Sequence, residues 1–207
     1  MKRWRTLGIW LIAIAFGGLI LLAAFRLDPV VQEWRREHRW KNIQVLSRNV
    51  TRATDWPVHI VAGLLLAGAT FWRGNKKWTR VFLAMIAACA LAGISAYALK
   101  VSTGRVRPSV KIEKIWGGPT VRQNFQSFPS GHTAASFGFF SVLFFVSWRI
   151  GFLFLPIPLF IGFTRIFLGA HYFSDVVGAA LLGILCAAIV AQFLLRLIGN
   201  RKSAIGN

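Results

Sequence analysis

The chain has 207 residues, 56% of them hydrophobic and 14% aromatic, with 25 basic residues against 6 acidic ones. That apolar content, gathered into blocks rather than spread at amphipathic spacing, excludes an ordinary soluble domain. A formal charge of +19 would point to nucleic acid in a soluble chain. Here the charges fall at the ends of apolar blocks, so anionic lipid headgroups are the nearer partner and no nucleic acid is expected.

The first block runs from Leu7 to Phe25 behind Lys2, Arg3 and Arg5. It exceeds the ~7–15 apolar residues of a secretory signal and no small-residue cleavage site follows, so it reads as a retained anchor. Arg26 to Asp55 mixes apolar and basic residues with Trp34 and Trp40; an interfacial helix and a solvated basic loop both fit it. Trp56 to Trp72 and Val81 to Leu99 are further spans, each close to the ~20 residues that cross ~30 Å of hydrocarbon, joined by "RGNKKWTR". From Thr133 to Phe163 the apolar run is broken only by "WRIG", which predicts two spans and a tight turn at Arg149. Val176 to Leu197 is the last span. The expected fold is all-α, a single integral membrane domain over residues 1–207 with a bundle of six transmembrane helices. Cys89 and Cys186 lie inside spans and give no disulfide framework.

Six spans put both termini on one side together with "RGNKKWTR" and "WRIG". Basic residues divide without a decisive majority, but those on the terminal side are packed into short tails and turns. Short basic loops weigh most in the positive-inside rule, so the termini are expected in the cytoplasm of an inner-membrane protein. All the acidic residues then face outward: Asp28, Glu33, Glu37, Asp55, Glu113 and Asp175.

The outer face also receives three polar clusters: "KVSTGRVRP" with Lys100, Arg105 and Arg107, "PSGH" from Pro129 to His132, and "TRIFLGAHYFSD" with Arg165, His171 and Asp175. Each suits a phosphate. Ser130 is a good N-cap and Gly131 lets a ligand approach the backbone, so the first amides of the following helix can cradle an anion. Lys100, Arg107 and Arg165 supply positive charge. His171 and Asp175 are four apart, the spacing of one helix face; the carboxylate would fix the tautomer and leave the other ring nitrogen free to attack. His132 is suited to protonate a departing oxygen. His38 and His59 match no cluster and read as interfacial or packing residues. Two-metal hydrolysis needs several carboxylates, and only Asp175 falls within a cluster, so no metal and no cofactor is expected.

Taken together the clusters resemble the type 2 phosphatidic acid phosphatase family, whose signature is K-x6-R-P, P-S-G-H and S-R-x5-H-x3-D. Lys100, Arg107 and Pro108 match the first block, Pro129 to His132 the second, and Arg165, His171 and Asp175 the third. Thr164 stands where the family has Ser, which keeps the hydroxyl. The resemblance implies a membrane lipid phosphatase in which His171 becomes phosphorylated, Asp175 orients it, and His132 acts as acid. Lys100, Arg107, Arg165 and Ser130 would bind the phosphate. The expected activity is metal-independent hydrolysis of a lipid phosphomonoester or pyrophosphate at the outer leaflet. Two rivals stand beside it: a lipid-to-lipid phosphotransferase using the same site, and a non-catalytic lipid-phosphate binding or transport protein.

Overall fold

The computed structural model describes the backbone of residues 2–110 and 114–204, and side chains over 10–110 and 114–193. The side chains of Lys2, Arg3 and Arg5, and Glu113, lie outside the described residues. Among those described, the fold is all-helical: α1 (Lys2–Glu37), α2 (Lys41–Ala53), α3 (Trp56–Trp72), α4 (Lys76–Thr103), α5 (Gly131–Val146), α6 (Trp148–Phe154), α7 (Pro156–Phe167) and α8 (Phe173–Ala204). One 3-10 turn covers Gln123–Phe125, and Arg105 and Trp116 form an isolated antiparallel bridge.

Among the described residues, four stretches are long and apolar enough to cross a membrane: Trp10–Glu37, Lys76–Thr103, Trp148–Phe167 and Phe173–Phe193. The helices α3 and α5 are apolar but shorter, at 17 and 16 residues. At 1.5 Å per residue each is roughly 25 Å long. The short helix α5 is the central post, packed most extensively against α8 and α4 and touching α3, α6 and α7 as well. Its contacts are close because Gly138 meets the Ala88 backbone and Gly183 of α8 meets the Ala134 carbonyl, both within the space a Cβ would need. A core of Val81, Met85, Ala88, Cys89, Ala135, Phe139 and Val142 fills the α4–α5 seam. Cys89 and Cys186 are free and buried.

Two expected boundaries moved. The first helix does not stop at Phe25 but continues through Pro29 to Glu37, because Asp28 and Gln32 on this extension are buried against the rest of the protein. Arg26 to Asp55 is therefore the end of α1 followed by α2, an amphipathic helix whose Ser47 is buried while Val45 and Leu46 are exposed. The tight turn falls at Ser147 rather than Arg149. Ser147 is extended (φ −160°, ψ 119°), and α6 folds back so closely that Gly151 lies against the Phe144 ring.

Candidate active site

Each polar cluster sits at a helix end. The helix α4 stops at Gly104, whose left-handed backbone (φ 57°) lets its amide donate to the Lys100 carbonyl at 3.1 Å. A Cβ there would collide with the Gly118 carbonyl, so the turn requires glycine. The segment that follows is held on both edges. Val106 N–H donates to the Ile115 carbonyl (2.8 Å), Ser127 N–H to the Arg105 carbonyl (2.9 Å) and Arg107 N–H to the Asn124 carbonyl (3.0 Å).

Lys100, Arg107, Gly131, His132, Arg165 and His171 line one cleft of about 840 Å³. The Lys100 ammonium donates to the Gln126 carbonyl (2.9 Å), Arg107 Nε to the Gln123 carbonyl (3.0 Å) and Arg165 Nη1 to Thr51 Oγ1 (3.2 Å). All three acceptors are neutral, and none of the three cations forms an ion pair among the described residues. Lys100 and Arg165 are only 9% and 8% exposed. Desolvated cations with neutral partners leave charge to be matched, and a polyanion such as phosphate matches it. Thr164 is buried and donates to the Ile161 carbonyl at 2.7 Å, so its hydroxyl is satisfied locally.

Ser130 occupies the N-cap position of α5 but makes no capping bond; instead its hydroxyl accepts from Thr133 Oγ1 at 2.9 Å. It is fully buried and does not line the cleft. The expected cap is thus replaced by a hydroxyl pair one turn apart. With no cap from Ser130, the opening amides of α5, beside Gly131 on the cleft wall, stay available to an anion. The Ser130 N–H itself donates to the Asp175 carbonyl (3.1 Å), tying the second cluster to the third.

His171 lies in the loop before α8 and Asp175 in the first turn of that helix, so the pair meets across a loop–helix junction rather than along one helix face. Nδ1 of His171 is 3.4 Å from Asp175 Oδ2, longer than an ordinary hydrogen bond, and has no other partner. Asp175 is immobilised from behind. Oδ1 accepts from Arg105 Nη1 (2.6 Å), and Oδ2 accepts from Ser127 Oγ (2.5 Å) and the Tyr172 N–H (2.9 Å). Arg105 also donates to Asp28 Oδ2 (2.7 Å) and to Ser174 Oγ (2.6 Å), while the Ser174 N–H and hydroxyl both donate to Asp28. The guanidinium lies over the rings of Phe25, Trp116 and Tyr172. Two carboxylates share one guanidinium, so this row carries negative charge behind His171. Burial holds the imidazole well below the ordinary histidine range; Asp175 opposes that, while the charges on Lys100 and Arg165 add to it.

Sequence reasoning gave Arg105 no role and treated Asp28 and Asp55 only as outer acids. Arg105 could have been suspected from its place between two motif residues. Asp28 carries no local signal. Asp55 caps α3 by accepting from the Trp56 N–H (2.9 Å), and its Oδ1 lies 3.4 Å from His132 Nε2. His59 is a buried packing residue, 3.1 Å from Ser136 Oγ through Nε2 and 3.2 Å from the Asp55 carbonyl through Nδ1.

The cleft continues away from the cations as an apolar groove between α3 and α4, along Trp56, Ile60, Ala90, Gly93, Ile94 and Tyr97 down to Cys89. From Lys100 to Cys89 that is roughly 16 Å of helix, about half the hydrocarbon thickness of a bilayer. Ile94 and Tyr97 are 70% and 58% exposed, so the groove opens sideways where lipid chains would lie.

Residues 81–198 match the family model described as PAP2 superfamily. Over 117 residues the chain is 32% identical to a lipid A 1-phosphatase of Rhizobium etli, covering 54% of this chain and 46% of that protein. Over 64 residues it is 41% identical to the bacitracin transport permease protein BcrC of Bacillus licheniformis, covering 31% of this chain and 32% of that one. The matches thus span less than half the length of these curated relatives. The crystal structure of a PAP2 type phosphatidylglycerolphosphate phosphatase from Bacillus subtilis superposes with a TM-score of 0.69 at 21% identity, covering 90% of this chain and 96% of that one. At that identity the likeness is one of fold.

Proposed function

The chain belongs to the PAP2 superfamily, and from that premise we propose that it is an integral membrane phosphatase that removes a phosphate from a lipid headgroup through a phosphohistidine. One observation carries this reading. A cleft walled by three cations paired only with neutral groups opens into an apolar groove one leaflet deep. A lipid phosphate would seat its headgroup among Lys100, Arg107, Arg165 and the α5 amides, with one chain in the groove.

His171 then attacks phosphorus through Nε2 while its Nδ1–H donates to Asp175. The bond between phosphorus and the leaving oxygen breaks, and His132 gives that oxygen a proton. Water next attacks the phosphohistidine, losing its proton to the now neutral His132, and inorganic phosphate departs. The cations and amides stabilise the charge on the transferring group throughout. No step needs a metal, and we propose that activity persists in chelator. We further propose that all six apolar segments cross an inner membrane. The termini would then be cytoplasmic and the site open to the outer leaflet.

Gly93 supplies the test. A Cβ added there meets nothing within 4 Å, so a large side chain can fill the groove without disturbing α4. Gly93→Phe should cut hydrolysis of a long-chain lipid phosphate by at least about tenfold while p-nitrophenyl phosphate is turned over as before. Release of inorganic phosphate, rather than its transfer to a second lipid, is read in the same assay. Equal activity of the variant toward both substrates would overturn the lipid reading.

A further inference from the structure

Asp55 lies outside the three motif clusters, 45 residues before Lys100 in the chain, yet it reaches the same cleft. It caps α3, and from that fixed position its Oδ1 stands 3.4 Å from Nε2 of His132 on α5. Asp175 stands at the same separation from Nδ1 of His171. Each of the two histidines that line the cleft therefore faces a carboxylate at the same separation. The groups facing His132 are Lys100 from α4, Arg165 from α7, His59 from α3 and Asp55 at the α3 cap. Asp55 is the one anion in that set. Burial, Arg165 and Lys100 push the imidazole toward its neutral form, and Asp55 is the neighbour that opposes them, so an acid that must hold a proton here needs that counter-charge.

We propose that Asp55 is the positioning residue for the general acid: it accepts a hydrogen bond from Nε2–H of His132, holds the imidazolium against the neighbouring cations, and leaves Nδ1 as the nitrogen that protonates the departing oxygen. This rests on the phosphatase reading above. As the leaving oxygen parts from phosphorus, the Nδ1 proton moves to it. His132 is left neutral with its Nε2–H still on Asp55, and the phosphoryl group is on His171. The second carboxylate thus serves the leaving group as Asp175 serves the nucleophile. The side chain of Asp55 is 47% exposed.

The capping role makes a clean variant available. Asn caps a helix as well as Asp does, so Asp55→Asn keeps the start of α3 and removes only the charge. Purified Asp55→Asn should lose roughly tenfold or more in kcat toward an alkyl lipid phosphate, short of the ~10²–10⁴-fold that a general acid contributes. Its KM should stay the same or fall. Toward p-nitrophenyl phosphate, whose leaving group needs no proton, the loss should be under about threefold. The alkaline limb of kcat/KM for the alkyl substrate should move to lower pH, because the imidazolium has lost its counter-charge. Asp55→Ser, which also caps but is too short to reach His132, should behave alike. In a His132→Ala background, Asp55→Asn should cost nothing further. Equal losses toward both substrates, an unmoved alkaline limb, or additive losses in the double variant would each overturn the proposal while leaving the phosphatase reading intact. If His132→Ala itself loses equally toward both substrates, the acid assignment falls, and the role of Asp55 with it.

Discussion

His171 sits at the front of a buried row formed by Asp175, Arg105 and Asp28; its own burial and the charges on Lys100 and Arg165 hold its pKa down, and Asp175 opposes them. Proton binding to the buried imidazole would place an unsolvated charge beside the cations Lys100 and Arg165, so its pKa lies below the ordinary value of 6.5. A histidine with a depressed pKa is neutral at neutral pH and takes up a proton only in more acidic solution. It therefore remains neutral where an exposed histidine would already be charged. In ¹⁵N-histidine spectra of the protein in detergent, the ring nitrogens of residue 171 should keep neutral-form shifts from about pH 8 to about pH 5.5. A midpoint near 6.5 would mean that burial and the two neighbouring cations do not control its charge. The motif residues were readable because each brings its chemistry in a short contiguous string. Arg105 and Asp28 were not: their ion pair joins positions 77 apart, and neither hydropathy nor spacing records such a contact.

At the scale of elements, the decisive feature is the extension of α1 beyond Phe25. Hydropathy ends the span there because Arg26, Asp28, Gln32 and Glu33 are polar. The chain nevertheless stays helical, since Asp28 finds buried partners in Arg105 and Ser174 and thereby brings the end of α1 to the site. Composition shows a residue's cost in lipid but not the partner that offsets it. The same blindness placed the hairpin at Arg149, the charged residue, when the chain actually turns at Ser147, where Gly151 allows a close return over Phe144. Asp28→Asn leaves Arg105 with half its compensation. It should lower stability by about 3–5 kcal/mol, the usual cost of breaking a buried ion pair. Thermal unfolding in detergent reads that loss. Hydrogen exchange should show it first in the amides from Leu27 to Glu37, and unchanged protection there would contradict a tethering role for Asp28.

Over the whole molecule, apolar blocks and helix-end clusters together made the all-helical membrane fold legible, and the PAP2 family with it. The number of crossings was less so: α3 and α5 are short, and α5 is enclosed by other helices, so its length answers to its neighbours rather than to the bilayer. The groove between α3 and α4 was invisible in sequence, because Ala90, Gly93 and Ile94 read as any apolar span. Groove, cations and paired histidines together define the central claim, that phosphate passes from an outer-leaflet lipid to His171 and then to water. The direct measurement supplies ³²P-labelled lipid phosphate to the outer face of sealed right-side-out vesicles, with an acid-free quench and mapping of the labelled residue. The account predicts alkali-stable, acid-labile label on His171, absent from His171→Ala. Phosphate release without label on His171, or label that appears only in inverted vesicles, would contradict it.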